Sequence, residues 1–142
     1  MKCATCGRAN RVPVSAKGHP VCGSCRAELP WLVAAGDADF DAAVDTNVPV
    51  LVDLWAAWCG PCRAIAPAVE DAARRFAGRL KVVKVDVDAA PGVARRFRVQ
   101  GVPTLLILQR GDVVANQVGA LPAAALGTWI ESTLARTTAA TS

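Results

Sequence analysis

Apolar and polar positions alternate along the chain in patterns that predict strands and helices. The β-branched run at residues 50–52 predicts a buried strand, which leads into the sequence Cys-Gly-Pro-Cys at residues 59–62. Apolar and small residues at helical spacing then predict a helix that ends at Gly78. We expect a kink at Pro67, because proline lacks the N–H that a helix interior uses. This strand and helix are predicted to form the centre of the structure.

Similar patterns predict strands and helices on both sides of this centre. Further strands are predicted at residues 32–34, 80–86, 104–108 and 113–118. Further helices are predicted at residues 37 or 39 to 44, 91 to 97 and 121 onward. Residues 137–142 carry no pattern and are expected to form a frayed tail. Strands that alternate with helices and close with a hairpin predict an α/β fold, a mixed central sheet with helices on both faces.

The composition fits one domain of ordinary size with a small appendage. The 142 residues are 53% apolar, which is ample for a hydrophobic core. No apolar run reaches the roughly 18 residues of a membrane-spanning helix, and the N-terminus lacks the apolar segment of a signal peptide. We therefore expect a cytoplasmic protein that has no membrane partner. The net charge of +4 is spread along the chain, which gives little support to nucleic acid binding.

The first 30 residues differ from the rest because they carry four cysteines and almost no large apolar side chain. Such a segment cannot build its own hydrophobic core, so a cross-link must hold it. Two Cys-x2-Cys pairs separated by fifteen residues form the four-cysteine pattern of zinc knuckles and ribbons. We therefore expect a zinc module at residues 1–30, with iron as the chemical alternative, and a linker at residues 31–37. The predicted ligands are Cys3, Cys6, Cys22 and Cys25.

Two cysteines at the start of a predicted helix have a specific chemistry. The unpaired N–H groups and the positive end of the helix dipole favour a thiolate, which is nucleophilic near neutral pH. Cys59, nearer the helix end and more exposed, is the expected attacking residue, and Cys62, one turn in and shielded, is the expected resolving residue. Asp53 lies in an otherwise apolar strand, where burial makes a carboxylate costly or raises its pKa. It is a candidate for proton exchange with Cys62, and a purely structural polar group is the alternative.

These residues resemble those of the thioredoxin family. The match comprises Trp-Cys-Gly-Pro-Cys at residues 58–62 after the strand sequence Val-x-Val-Asp-x-Trp-Ala, then Gly-Val-Pro-Thr at 101–104 and Val-Gly-Ala at 118–120. The match covers residues 38–136, for which the resemblance implies the thioredoxin fold. Because a zinc-binding segment precedes this region, the chain is similar to the bacterial thioredoxin-2 subfamily.

The resemblance also implies roles for individual residues. In this family, the aspartate that matches Asp53 takes a proton from the resolving thiol. The lysine that matches Lys84 approaches that aspartate. The alternative is that Lys84 extends to solvent. The family also has a cis peptide bond between the residues that match Val102 and Pro103, beside Cys59. A flat apolar rim would then surround Cys59 and accept extended protein substrates. The predicted rim residues are Trp58, Gly60, Pro61, Val102, Pro103 and Gly119.

The expected function is the reduction of protein disulfides by Cys59 and Cys62, without a bound organic cofactor. The resemblance implies that an NADPH-dependent thioredoxin reductase reduces the dithiol again after each cycle. It also implies that the substrates are proteins with exposed disulfides and that this protein is a monomer. Ala57 replaces a residue that is charged in many thioredoxins, which leaves partner preference open. One alternative is a zinc-gated redox sensor or chaperone-like module, in which oxidation ejects zinc. An oxidase or isomerase is a third possibility, which the missing export signal disfavours.

Overall fold

The described residues, 1–15 and 19–141, form five strands and four helices in the computed structural model. The strands are β1 (Trp31–Ala34), β2 (Val50–Trp55), β3 (Lys81–Asp86), β4 (Thr104–Gln109) and β5 (Asp112–Val118). The helices are α1 (Phe40–Val44), α2 (Gly60–Arg75), α3 (Pro91–Arg96) and α4 (Ala123–Thr141).

The strands form one mixed sheet in the order β1-β3-β2-β4-β5. The first three strands of this order run parallel, whereas β4 is antiparallel to β2 and β5 is antiparallel to β4. β2 therefore lies in the middle and is hydrogen-bonded along both of its edges. This arrangement confirms the predicted mixed sheet and the predicted buried central strand.

Two hydrophobic clusters cover opposite faces of the sheet. Val52 and Leu54 of β2 belong to the cluster that includes residues of α1 and α3. Leu51 belongs to the cluster that includes residues of α2 and α4. Because successive side chains of a strand point to opposite faces, Asp53 lies on the same face as Leu51. The helices on both faces confirm the predicted α/β architecture, and Asp53 faces the layer that contains α2.

α2 starts at the point where the sequence predicts it. It begins at Gly60, directly after Cys59, and Pro61 occupies its first turn, where the missing N–H would have been unpaired anyway. The helix continues through Pro67 to Arg75. The predicted helix is therefore confirmed, and the kink stays a prediction.

At the C-terminal end, α4 is longer than the sequence pattern predicts. α4 continues to Thr141, where the sequence predicts a frayed tail from Thr137 onward, and Ser142 lies outside the described residues. Thr137 is buried, and its hydroxyl donates to the carbonyl oxygen of Leu134 at 2.9 Å. The tail has no apolar stripe that would signal a helix, and the burial of Thr137 is a property of the folded chain that the sequence pattern does not show. Neither α4 nor any other described helix is long and apolar enough to cross a membrane.

Trp31 and Lys81 connect the N-terminal segment to the sheet. Trp31 opens β1, is 1% exposed, and donates its indole N–H to the carbonyl oxygen of Pro13 at 2.7 Å. The buried amine of Lys81 donates to the carbonyl oxygen of Val14 and, at 2.6 Å, to that of Ala43. Its nitrogen lies 4.1 Å from the centre of the Trp31 ring, and burial lowers the pKa of Lys81 to about 8. β1 begins at Trp31, the first residue of the predicted linker, so the first part of that linker is an edge strand.

Candidate functional site

Cys59 and Cys62 form a disulfide at the N-terminus of α2. Cys59 is the N-cap of the helix, and its Sγ accepts a hydrogen bond from the backbone N–H of Cys62 at 3.2 Å. The same sulfur lies 3.6 Å from the carbonyl oxygen of Val102. Backbone N–H groups and the helix dipole both stabilise negative charge at this position. After reduction of the disulfide, Cys59 is thus placed where a thiolate is favoured.

Both cysteines are well covered in the disulfide form. Each is 4% exposed, and together with Ala56 they form a small cluster against Trp55 and Val102. The expectation that Cys59 is the more exposed of the two is therefore wrong for this form. The two cysteines differ in position instead, because Cys59 caps the helix and Cys62 lies inside its first turn.

Asp53 is buried in the middle of the sheet, on the face that α2 covers. It is 2% exposed, and its Oδ1 has no hydrogen-bond partner among the described residues. Burial raises the pKa of Asp53 to about 6, and the positive charge of Lys84 opposes this rise. The carboxyl therefore changes its protonation state close to neutral pH, as a group that exchanges protons with a thiol must.

Lys84 lies beside Asp53 on the neighbouring strand. The two residues are directly paired in the parallel register of β2 and β3, so their side chains emerge on the same face. The amine lies 5.3 Å from the centre of the Trp55 ring, and no ion pair joins Lys84 to Asp53 in the described part of the chain. Lys84 therefore acts on Asp53 through its charge rather than through a direct contact.

The peptide bond between Val102 and Pro103 is cis, as the resemblance implies. The carbonyl oxygen of Pro103 accepts a hydrogen bond from the backbone N–H of Gly119 at 2.8 Å, which fixes Gly119 next to the proline. Val102 and Gly119 are partly exposed, whereas Pro103 is buried. Since the Val102 carbonyl also lies against Cys59, these residues bring the start of β4 and the end of β5 to the dithiol.

On the other side of the cysteines, Trp58 is the dominant surface feature. It is 69% exposed, and its indole N–H donates to the carboxylate of Asp88 at 2.9 Å, which fixes the orientation of the ring. Gly60 and Pro61, which follow it in the sequence, are exposed as well. Of the six residues predicted for the rim, five are at least partly exposed and Pro103 is buried.

A groove of about 350 Å³ lies beside the dithiol, and both Trp58 and Val102 line it. Sequence reasoning missed most of this groove, because most of the residues that complete its lining, on α3 and in the loops on both sides of it, belong to no motif. Gly60, Pro61 and Gly119 are not among its lining residues. The residues that complete the lining are Val87, Pro91, Ala94, Arg95, Val99, Gln100 and Gly101.

Comparison with known proteins agrees with this geometry. The Thioredoxin family model matches residues 31–132. The chain belongs to the thioredoxin family. It is 47% identical over 95 residues to Thioredoxin of Haemophilus influenzae, which is 66% of this chain and 89% of the relative. It is 43% identical over 104 residues to Thioredoxin C-2 of Corynebacterium nephridii, which is 72% of this chain and 96% of the relative.

Membership of this family establishes the class of chemistry. Thioredoxins are thiol–disulfide oxidoreductases, so this thioredoxin is one as well. The matched region contains β1 through most of α4 and both residues of the dithiol. Residues 1–30 precede the matched region, so their role has to be argued from their own geometry.

Four cysteine sulfurs converge in the N-terminal segment, and all lie within 4.8 Å of one another. The sulfurs of Cys3 and Cys25 are 3.6 Å apart, and those of Cys6 and Cys22 are 3.5 Å apart. Four sulfurs at about 2.3 Å from a tetrahedral zinc ion would lie about 3.8 Å from one another. The four predicted ligands are therefore brought together at a spacing that fits a metal ion.

Two turns of the same design present these cysteines. In the first turn the Gly7 N–H donates to the Cys3 carbonyl oxygen at 2.8 Å, and in the second the Arg26 N–H donates to that of Cys22 at 3.0 Å. Gly7 has φ of +78° and Arg26 has φ of +65°, so both adopt the left-handed conformation. Glycine adopts it freely, whereas a residue with a Cβ is strained there by about 1–2 kcal/mol. The second turn is therefore the less relaxed of the two.

The thiols of this cluster differ strongly in acidity. The backbone N–H groups of Cys25 and Ser24 lower the pKa of Cys22 to about 5. At Cys25 the N–H of Ala27 favours the thiolate, but burial and the neighbouring thiols raise the pKa to about 12. Four thiolates so close together repel one another, and a bound cation offsets that repulsion. The donor set of four sulfurs is suited to zinc or iron.

We predict that Arg26→Gly tightens metal binding because it relieves the strained backbone. The gain is about 0.5–1 kcal/mol, since the left-handed penalty of about 1–2 kcal/mol is partly offset by the greater freedom of glycine in the unfolded chain. Chelator competition on the metal-loaded protein measures the change. Arg26→Lys is the control that keeps the charge and the strain, and it should behave like the parent protein. Weaker binding by Arg26→Gly would contradict the prediction.

We predict that Asp53 makes folding stability fall as pH rises from about 4 to about 6. The folded state holds the carboxyl proton more tightly than the unfolded state, so ionisation destabilises the fold by up to about 3 kcal/mol above pH 6. Asp53→Asn removes this ionisation, so its unfolding free energy should increase relative to the parent over this pH range. Denaturant unfolding of both oxidised proteins between pH 4 and 8 measures the difference between their unfolding free energies. The contributions of other titrating groups are common to both proteins and cancel in this difference. Parallel stability curves would contradict the prediction.

Proposed function

We propose that this thioredoxin is a cytoplasmic, monomeric protein-disulfide reductase of the zinc-binding thioredoxin-2 type, reset by an NADPH-dependent thioredoxin reductase. The observation that carries the proposal is the Cys59–Cys62 pair at the N-terminus of α2. The thioredoxin names of the relatives support the same activity. The four cysteines of the N-terminal segment support the assignment to the zinc-binding type.

In the first step, the Cys59 thiolate attacks one sulfur of a substrate disulfide. A bond forms between the two sulfurs, the substrate disulfide breaks, and the other substrate sulfur leaves as a thiolate that takes up a proton. The product is a mixed disulfide between Cys59 and the substrate. The N-cap position favours this residue as the attacker, because the first-turn N–H of Cys62 already donates to its sulfur.

In the second step, Cys62 attacks the Cys59 sulfur and expels the second substrate thiolate. Two electrons have then passed from the dithiol to the substrate, and the enzyme holds the Cys59–Cys62 disulfide. Asp53 accepts the proton of Cys62 as that thiol becomes nucleophilic. Two observations support this role of Asp53. The residue is buried on the face that α2 covers, and its pKa of about 6 lets it change protonation state close to neutral pH. Lys84 stabilises the carboxylate form of Asp53.

Substrate proteins bind to the rim around the dithiol. Trp58 offers a fixed apolar surface, and Gly60 and Pro61 let a partner approach closely because they carry no long side chain. Val102 presents exposed backbone to an extended substrate segment, while Pro103 contributes no N–H that would compete for it. Gly119 closes the rim on the side of β5.

A zinc ion bound by the four N-terminal cysteines holds residues 1–30 in place. The support is the fit of the sulfur spacing and the small apolar content of the segment, whose own buried cluster consists of Cys3, Cys22 and Leu29. The same observation favours a second candidate function. If oxidation of the cysteines released zinc, so small a cluster could not keep the segment folded, and the segment would act as a redox switch.

Insulin reduction tests the reductase proposal. The zinc-loaded protein should reduce insulin disulfides catalytically with thioredoxin reductase and NADPH, and Cys59→Ser should lower the rate to that of the assay without thioredoxin, because the nucleophile is gone. Ala57→Ser, an exposed change outside the dithiol, is the matched control and should retain activity. Undiminished activity of Cys59→Ser would contradict the proposal.

A peroxide titration of the same reduced samples separates the two roles of zinc. Zinc release is followed with a chromogenic chelator, and insulin reduction is assayed at each step. If zinc serves only as a cross-link, it should stay bound until the Cys59–Cys62 pair is fully oxidised. If zinc leaves first and activity changes with it, the segment is a switch and the second candidate is correct.

A further inference from the structure

We propose that Arg95 makes this thioredoxin prefer substrate proteins that carry an Asp or Glu carboxylate close to the attacked disulfide. The inference rests on the proposed reductase function and assigns a substrate class to the same site. It concerns the groove lined by Trp58 and Val102, whose lining also includes this arginine.

The groove lies beside the dithiol, because one of its lining residues contacts the reacting sulfur. Val102 lines the groove, and its carbonyl oxygen lies 3.6 Å from the Cys59 sulfur. Trp58, the residue before Cys59 in the sequence, lines the groove as well. A polypeptide whose disulfide is in contact with Cys59 can therefore place neighbouring residues in the groove.

Arg95 is the cationic residue of an otherwise apolar or neutral lining, and it is exposed. No ion pair or hydrogen bond joins its guanidinium to another side chain within the described ranges of the chain. The next residue of α3 differs, because the Arg96 guanidinium lies 2.6 Å from a carboxylate oxygen of Asp41. The charge of Arg95 is thus available to a ligand, whereas that of Arg96 is already paired.

The other charged side chains beside the dithiol, Asp88 and Arg63, do not line the groove. Asp88 accepts a hydrogen bond from the Trp58 indole N–H at 2.9 Å and keeps its negative charge, but it does not line the groove. Arg63 is exposed on α2, and its guanidinium donates to the Ala57 carbonyl oxygen at 2.5 Å. Ala57 itself adds no charge to this surface. Arg95 is therefore the charged residue of the groove lining itself, and a carboxylate placed in the groove meets its positive charge.

A carboxylate suits this position for a geometric reason as well. The planar guanidinium donates two parallel hydrogen bonds to a carboxylate, a geometry that a neutral amide cannot match. Apolar groove walls exclude part of the surrounding water, which strengthens such a pair relative to one on an open surface. The expected substrate segment therefore places an apolar residue against Trp58 and an acidic residue against Arg95.

Paired disulfide peptides test the inference. The two peptides of a pair differ at one position, which is Glu in one peptide and Gln in the other. In the first pair this position lies two residues before the cysteine, and in the second pair it lies two residues after the cysteine. In at least one pair, the parent protein should reduce the Glu peptide with about threefold higher kcat/KM, through KM, as expected for a partly exposed ion pair. Arg95→Gln should remove the preference, so that the two peptides of a pair are reduced with equal kcat/KM, and Arg95→Glu should reverse it. The preference should also shrink in high salt.

Arg96→Gln is the matched control, because it removes a neighbouring arginine of α3 that does not line the groove. This variant should keep the preference of the parent protein. If the parent reduces the Glu and Gln peptides equally in both pairs, or if Arg95→Gln keeps a preference, the inference is wrong and the reductase function stands. If the parent reduces none of the peptides, the reductase proposal itself has failed.

Discussion

The chemistry of this thioredoxin depends on the abrupt change from a buried strand to a helix at the end of β2. β2 is hydrogen-bonded along both edges and covered on both faces, so the point at which it ends is fixed by the whole sheet. Cys59 caps the helix that follows, and the helix start supplies N–H groups and a positive dipole end to its sulfur. The same strand carries Asp53 on the face that α2 covers. A single junction therefore fixes both the nucleophile and the group proposed to assist the resolving thiol.

The N-terminal segment depends on two different kinds of attachment. Inside the segment, four cysteine sulfurs meet at a spacing suited to a metal ion. Outside it, Trp31 and Lys81 hydrogen-bond to its backbone from the first residues of β1 and β3. The carboxylate of Glu28 also packs on Gly78, where a Cβ would collide with it. The N-terminal segment thus packs against the edge of the sheet. A loss of the metal would therefore also disturb the contacts that β1 and β3 make with this segment.

The sequence was sufficient to predict the features that depend on local pattern. The β-branched runs, the cysteine spacings and the helix start at residue 60 all follow from short-range rules. Features that depend on distant contacts could not be predicted. The burial of Lys81 contradicts the usual exposure of lysine, and the contribution of Arg95 to the groove arises only when α3 packs beside Trp58. The equal burial of the two dithiol cysteines is likewise a property of the folded surface rather than of their order in the chain.

The most direct test of the central claim is to measure which cysteine of the reduced, zinc-loaded protein is the reactive thiolate. Brief alkylation with iodoacetamide between pH 5 and 9, followed by peptide mass spectrometry, gives the rate for each cysteine. We predict that Cys59 reacts first, with an apparent pKa below the value of about 8.5 for a free cysteine, while Cys62 and the zinc-bound cysteines stay unmodified. Faster modification of Cys62, or an apparent pKa of Cys59 at or above that of a free cysteine, would contradict the account.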